Sequence, residues 1–133
     1  MKPEVHEYLK KADRALKVAE NLLAAGFEAE AAARAYYAMF YAAQAFLKEN
    51  GIQRVKHSAV QAAFGQYLVK AGKIDAKFHR MLIDARETRE IADYTLGEEI
   101  SAETASLRVK NAEDFVKVVK ALIAKEEKGQ HKG

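Results

Sequence analysis

Residues 30–47 read EAAARAYYAMFYAAQAFL, and this stretch decides the fold. Alanines and aromatics run almost unbroken, with Arg34 and Gln44 as the strongly polar breaks after Glu30. Counted from Ala29 to Leu47, the segment spans roughly 28 Å as a helix, about the width of a small domain. A helix apolar on every side is expected to be buried on every side. Lipid is a poor home for it, since Glu30, Arg34, Gln44 and three tyrosines would face hydrocarbon. The segment therefore reads as the central helix of a bundle in water. Its alanines admit close neighbours, and Tyr36, Tyr37, Phe40, Tyr41 and Phe46 fill the space between them.

The rest of the chain supplies those neighbours. Pro3 suits a first helical position, because its missing N–H has no partner there anyway. Val5, Tyr8, Leu9, Ala12, Leu16, Ala19, Leu22 and Leu23 then recur at three- and four-residue steps, and Gly26 is a natural stop. Asn50-Gly51 ends the central helix, and a short basic linker runs from Ile52 to His57. Ser58 with Gln61 has the form of a capping box opening a third helix, which holds Val60, Phe64, Tyr67 and Leu68 and stops at Gly72. Asp75 caps a fourth helix reaching about Tyr94, and Gly97 breaks the chain. Ser101 caps a fifth helix that buries Leu107, Phe115, Val118, Val119, Leu122 and Ile123. No strand pattern appears, and short connections favour antiparallel neighbours. The expected fold is all-α: an up-and-down four-helix bundle with an additional short helix.

The chain of 133 residues reads as one domain over residues 1–127, followed by a charged, flexible C-terminal tail, 128–133. With 50% hydrophobic and 31% charged residues it has apolar surface enough for a core. The absence of cysteine excludes disulfides and thiolate metal sites. Met1 leads straight into a charged helix without an apolar export segment, so the expected location is the cytoplasm. A net charge of +3 permits nucleic-acid binding without arguing for it. No two histidines have metal-ligand spacing on one helix, and no glycine loop or nucleophile elbow appears, so no metal or cofactor is expected.

Helix four holds the informative conflict. Phe78, Leu82, Ala85, Arg89 and Ala92 form a narrow stripe at helical spacing, which puts Arg89 in the middle of an apolar face. Asp93 lies one turn on and can pair with it, and Arg86 is on the same side. As an ion pair this cluster fixes helix register, since a buried arginine needs a partner. As a site it holds phosphate, which the planar fork of arginine suits. Ile83, Ile91 and Tyr94 make the other side of the helix partly apolar, so a second subunit could cover it. On helix two, Arg34, Tyr37 and Tyr41 share one flank, where packing alone would explain them. His57 reads as a loop residue or a helper at a helix start, and His79 as exposed.

Three pieces line up: Arg34-Ala-Tyr-Tyr-Ala-Met-Phe40, Lys56-His57-Ser58 and Arg89-Glu-Ile-Ala-Asp-Tyr94. Their order and separation resemble the HEPN domain (higher eukaryotes and prokaryotes nucleotide-binding). The resemblance is narrowest to the stand-alone prokaryotic branch with an Arg-x-x-x-Asp-Tyr motif, and it covers about Tyr8 to Val119. It implies a four-helix core with a fifth helix, and a homodimer that brings two copies of the helix-four motif toward a shared cleft. It also implies partnership with a minimal nucleotidyltransferase protein, often as the toxin of a toxin–antitoxin pair; a related expectation, tied to the toxin reading, is that Tyr94 accepts a nucleotide from that partner. Several branches are metal-independent endoribonucleases that place a histidine a few residues after the arginine. Here Asp93 and Tyr94 stand in that place, and neither titrates near neutrality without help from its surroundings.

Three readings follow. In the first, a dimer binds nucleotide or RNA phosphate through Arg34, Arg86, Arg89 and Tyr37, with Asp93 orienting Arg89. In the second, an endoribonuclease toxin uses Arg89 for phosphate charge and Asp93, Tyr94 or His57 as catalytic proton carriers. In the third, the cluster only sets the register of a structural helical dimer. The first is favoured because the set needed for catalysis is incomplete.

Overall fold

A computed structural model describes residues 2–94 and 99–132, with side chains as far as residue 129. The described chain is all-α: α1 (Pro3–Ala24), α2 (Glu28–Glu49), a short α3 (His57–Ala63) that passes into a π-helical segment (Phe64–Val69), α4 (Ala76–Tyr94) and α5 (Ala102–Lys132). The bundle expected from the sequence is present, with α2 packed against every other element. The break expected at Gly97 lies outside the described residues.

Helix ends follow the chemistry of their sequences. Gly51 adopts φ 77°, which costs glycine nothing, and it lets the chain fold back on α2. The amide of Ile52 then donates to the Leu47 carbonyl at 2.9 Å and that of Gly51 to Lys48 at 3.0 Å, in the Schellman pattern. α1 closes in the same way, where Phe27 N–H reaches the Leu22 carbonyl at 2.9 Å. Asp75 Oδ1 accepts from Lys77 N–H at 2.8 Å, and Ser101 Oγ accepts from Thr104 N–H at 3.0 Å, so both expected caps form.

The capping box expected at Ser58 does not form. α3 starts two residues earlier, at His57, after an extended Lys56 that offers no side-chain cap. His57 is held by α2, as described below, and that contact takes it into the first turn. The short helix also does not run evenly to its end but loosens into π geometry from Phe64. There Gly65 faces His79, and a Cβ on Gly65 would lie 2.6 Å from the imidazole. His79, expected to be exposed, is half-buried, with Nε2 3.0 Å from the Gln61 carbonyl and its ring stacked on Phe64. Leu107 is the converse case: expected inside, it is 53% exposed.

The core follows α2. Tyr36, Met39, Phe46 and Leu47 are closed off from solvent and meet Phe64, Leu82, Phe115, Val119 and Ile123 from the other helices. Phe115 stacks on Phe64 at 5.4 Å and takes the edge of Phe78 at 6.0 Å. Such offset and edge-on pairs let rings fill space without repulsion between their faces. Among the described residues no helix is long and apolar enough to cross a membrane.

α2 is not buried on every side. Between Ala31 and Glu49, Ala33, Arg34, Tyr37, Tyr41 and Lys48 escape full burial. They fall on one narrow flank, and the candidate site begins there.

Candidate anion site where three helices meet

The stripe on α4 has the arrangement its spacing implies. Phe78, Leu82 and Ala85 are buried, Ala92 is half-buried, and the Arg89 side chain retains 14% of its exposure. Apolar neighbours below fix where α4 lies on α2, and this brings the Arg89 guanidinium to the α2 flank. Its Nη2 donates to Tyr37 Oη at 3.0 Å and makes a long contact of 3.5 Å to Tyr94 Oη. Its Cζ stands 5.4 Å from the Tyr37 ring centre and 5.5 Å from that of Tyr94. Arg34 is exposed and brings a second guanidinium to the Tyr37 ring at 4.8 Å. One phenol thus gathers two cations from two helices, an arrangement favoured by the negative face of the ring.

The ion pairs expected on α4 are present but loosely made. Asp93 Oδ2 lies 3.0 Å from Arg89 Nε, and Glu90 Oε1 lies 3.2 Å from Arg86 Nε. Neither carboxylate sits in line with the N–H, so both buried Nε donors lack a hydrogen bond. The charges are offset while the directional donors stay under-used. Arg89 Nη1 and the terminal nitrogens of Arg86 also make no hydrogen bond among the described residues. Burial lowers the pKa of Arg89, but nearby Tyr37, Tyr94 and Asp93 outweigh it and leave it above its ordinary value. The guanidinium is cationic at any pH the protein meets.

His57 joins this cluster from α3. Gln44, buried on α2, donates to the Arg54 carbonyl at 3.0 Å, and Lys48 donates to Gln53 Oε1 at 2.9 Å. These two bonds tie the linker down just before the histidine. The imidazole then stacks on Phe40, centre to centre 4.3 Å, and touches the rings of Tyr36 and Tyr37. Its Nδ1 is 2.6 Å from Tyr36 Oη, a contact between residues 21 apart in sequence. The sequence marks Tyr36 only as a space-filling ring, not as a site residue. Its only signal was a position one turn before Phe40 in an aromatic run, which reads equally as core.

The electrostatics fix the direction of that bond. Burial pushes the Tyr36 phenol far above its ordinary value, so it keeps its proton. A buried hydroxyl with one polar neighbour donates to it, which makes Nδ1 the acceptor and leaves the proton of the neutral ring on Nε2. Burial also lowers His57, and the charges of Arg89 and Arg86 lower it further against a smaller opposing effect of Glu90. At neutral pH His57 is therefore an uncharged ring whose outer nitrogen is a donor. It is poorly set to take up a proton and well set to help hold an anion.

The sequence-derived residues thus fall into two groups. Arg86, Arg89, Tyr37 and His57 come together, with Arg34 at the edge of the group. Asp93 and Tyr94, 39% and 71% exposed, lie at its solvent side. A groove of about 460 Å³ opens beside Arg34 and Asp93, floored by Ala29 and Ala33 and walled by Val18 and Leu22. Another, of about 280 Å³, opens against Arg86 between Gln61 and Ile83. Among the described residues no cluster of three or more metal-ligating side chains exists.

The profile of the HEPN domain matches residues 5–126. Two proteins of Methanocaldococcus jannaschii bear the name "Putative toxin". One is 33% identical over 93% of this chain and 85% of its own length, and the other 32% identical over 90% and 89%. A UPF0332 protein of Gloeobacter violaceus is 36% identical over 71% of this chain and 75% of its own.

Proposed function

The chain belongs to the HEPN family, and from that premise we propose that it binds the phosphate of a nucleotide or RNA at Arg89, Arg86 and Arg34. The observation behind this reading is the set of unspent donors. Two arginines on one helix pair with carboxylates without a hydrogen bond at Nε, and Nε2 of His57 is a donor on a ring that feels both their charges. A phosphate offers several acceptor oxygens to such a set, and charge-assisted bonds of this kind are strong. Tyr37 positions Arg34 and Arg89, and Asp93 restrains Arg89 from the solvent side.

In this reading the protein is the toxin-side member of a pair, in keeping with the names of its Methanocaldococcus relatives. It works beside a separate minimal nucleotidyltransferase. Tyr94, 71% exposed at the rim of the cluster, is open to modification by such a partner. A second copy of the chain covers the outer face of α4, where Glu87, Glu90, Ile91 and Tyr94 line an open groove. Binding is favoured over RNA cleavage because the Tyr36 bond occupies the basic nitrogen of the neutral His57 ring.

Calorimetry with mononucleotides and short RNAs is the test. Binding by the wild type and its loss in Arg89→Ala are expected. An absence of binding, or equal binding by the variant, would remove the proposal. Mass spectrometry after incubation with a minimal nucleotidyltransferase and ATP tests the partnership, and an unmodified Tyr94 counts against it.

A further inference from the structure

The open flank of α2 extends beyond the phosphate site. Along it stand Glu30, Arg34, Tyr37, Tyr41 and Lys48, all within one narrow arc of the helix. Tyr37 and Tyr41 are neighbours at 6.1 Å with tilted rings. From α1, the exposed Lys11 sets its ammonium 5.6 Å from the centre of the Tyr41 ring. Arg89, Tyr37, Tyr41 and Lys11 therefore form a line with steps of 5.4, 6.1 and 5.6 Å, cationic at both ends and aromatic between.

Both ends of this line are closed by carboxylates. Glu30 shares the groove with Arg34 and Asp93 at one end. At the other, Glu4 stands 3.8 Å from Lys48, which also holds Gln53, while Glu4 and Glu7 line the groove beyond Lys11. A polyanion is repelled past either limit. The aromatic part has no complete apolar cover, since Tyr37 and Tyr41 are both only half-buried.

We infer that Tyr41 and Lys11 form a second subsite, in which a base stacks on the Tyr41 ring and Lys11 takes the next phosphate of a short single-stranded RNA. The inference rests on the phosphate-binding reading of Arg89 and deepens it from a mononucleotide to an oligonucleotide. Single strands are held in this way elsewhere, by cations that follow the backbone and rings that accept any base. The carboxylate limits give a track of about two to three nucleotides, shorter than the ~4–16 taken by an OB-fold groove. Lys11 now rests over the ring, an exposed cation–π contact that is weak and readily given up to a base. A duplex keeps its bases stacked on each other and has no free base face for Tyr41.

The test is calorimetry on the whole chain with adenosine mono-, di- and trinucleotides, a hexanucleotide and a duplex. Affinity should rise about tenfold from mononucleotide to trinucleotide and then level off, while the duplex gains nothing. Lys11→Ala and Tyr41→Leu should each remove the rise and leave mononucleotide binding intact, and Tyr41→Phe should restore it. Mononucleotide binding with no gain on lengthening would overturn the subsite alone. A gain that survives Lys11→Ala, or that the duplex shares, would do the same. No binding of any ligand would overturn the Arg89 reading itself. Lys11 is exposed, so its variant reports even if Tyr41→Leu fails to fold.

Discussion

Near its middle α2 meets Arg89, Arg86 and His57, and at its C-terminal end its own Glu49 meets Glu126 and Glu127 of α5. Both places hold charge away from water. Glu49 is 6% exposed, with Oε2 lacking a hydrogen-bond partner among the described residues. Burial, then the charge of Glu127, raises its pKa, with Lys2 opposing. Glu49 can answer that pressure by taking up a proton. A guanidinium cannot, so Arg89 must be met by something negative or by aromatic faces. The contrast separates a charge the fold can neutralise by protonation from one it cannot.

Neutralising each place in turn tests the contrast most strongly. Arg89→Met with Asp93→Leu should fold, because Met suits the apolar stripe and position 93 is exposed, yet phosphate binding should fall about 30-fold, the worth of ~2 kcal/mol in charge-assisted bonds. Thermal melting and calorimetry on the same sample check both halves. Retained binding would place Arg89 with the merely tolerated charges. Glu49→Gln should do the reverse, leaving binding unchanged and raising stability at neutral pH by about 1 kcal/mol, since an unpaired buried charge is lost. Urea melts at pH 7 measure this, and a destabilised variant would show that Glu49 has a partner it needs.

Acid and base should sharpen the difference, because the two places tilt stability in opposite directions. His57 titrates below its ordinary 6.5 in the fold. As pH falls through 6.5 the unfolded chain binds the proton first, so this place withdraws stability on the acid side. Glu49 titrates above its ordinary 4.5. As pH rises through 4.5 the unfolded chain releases its proton first, so this place withdraws stability on the alkaline side. The effects oppose each other between those values. Melts from pH 4.5 to 6.5 should therefore rise more steeply with pH in Glu49→Gln than in the wild type, and less steeply in His57→Gln. Identical slopes in all three proteins would erase the distinction. The smallest effect belongs to Lys73→Ala. Lys73 lies at the rim of the carboxylate end, 3.3 Å from Glu126 and bonded to Asn50. Removing this exposed pair should cost less than about 1 kcal/mol by denaturant melts.

What the sequence could show depended on how far apart the contacting residues lie. Helix order, the turns at Gly26, Asn50-Gly51 and Gly72, and the caps at Asp75 and Ser101 are decided within a few residues, and all are present. The Arg89 stripe is also local, a matter of steps along one helix. The entry of His57 into the arginine cluster is not, because it depends on Tyr36 and Phe40 across a turn whose path no local pattern dictates. The same distance hid the Ser58 error. Ser58 and Gln61 make a sound local cap, but the ring contacts of His57 drew the helix start forward by two residues. His79 and the π-helical segment depend on each other across α3 and α4, so neither was visible alone.

Ala31, Ala32, Ala35, Ala38, Ala42, Ala43 and Ala45 all have no solvent exposure. Each methyl group is enclosed by its neighbours, and a larger side chain there would overpack the core. Such a helix has little freedom to drift. In a library of random variants sorted for folded protein, enlarging substitutions would disappear from this segment, while the outer faces of α1 and α5 diversified. A lineage could thus exchange its surface and its ligands many times around an axle whose girth never changes.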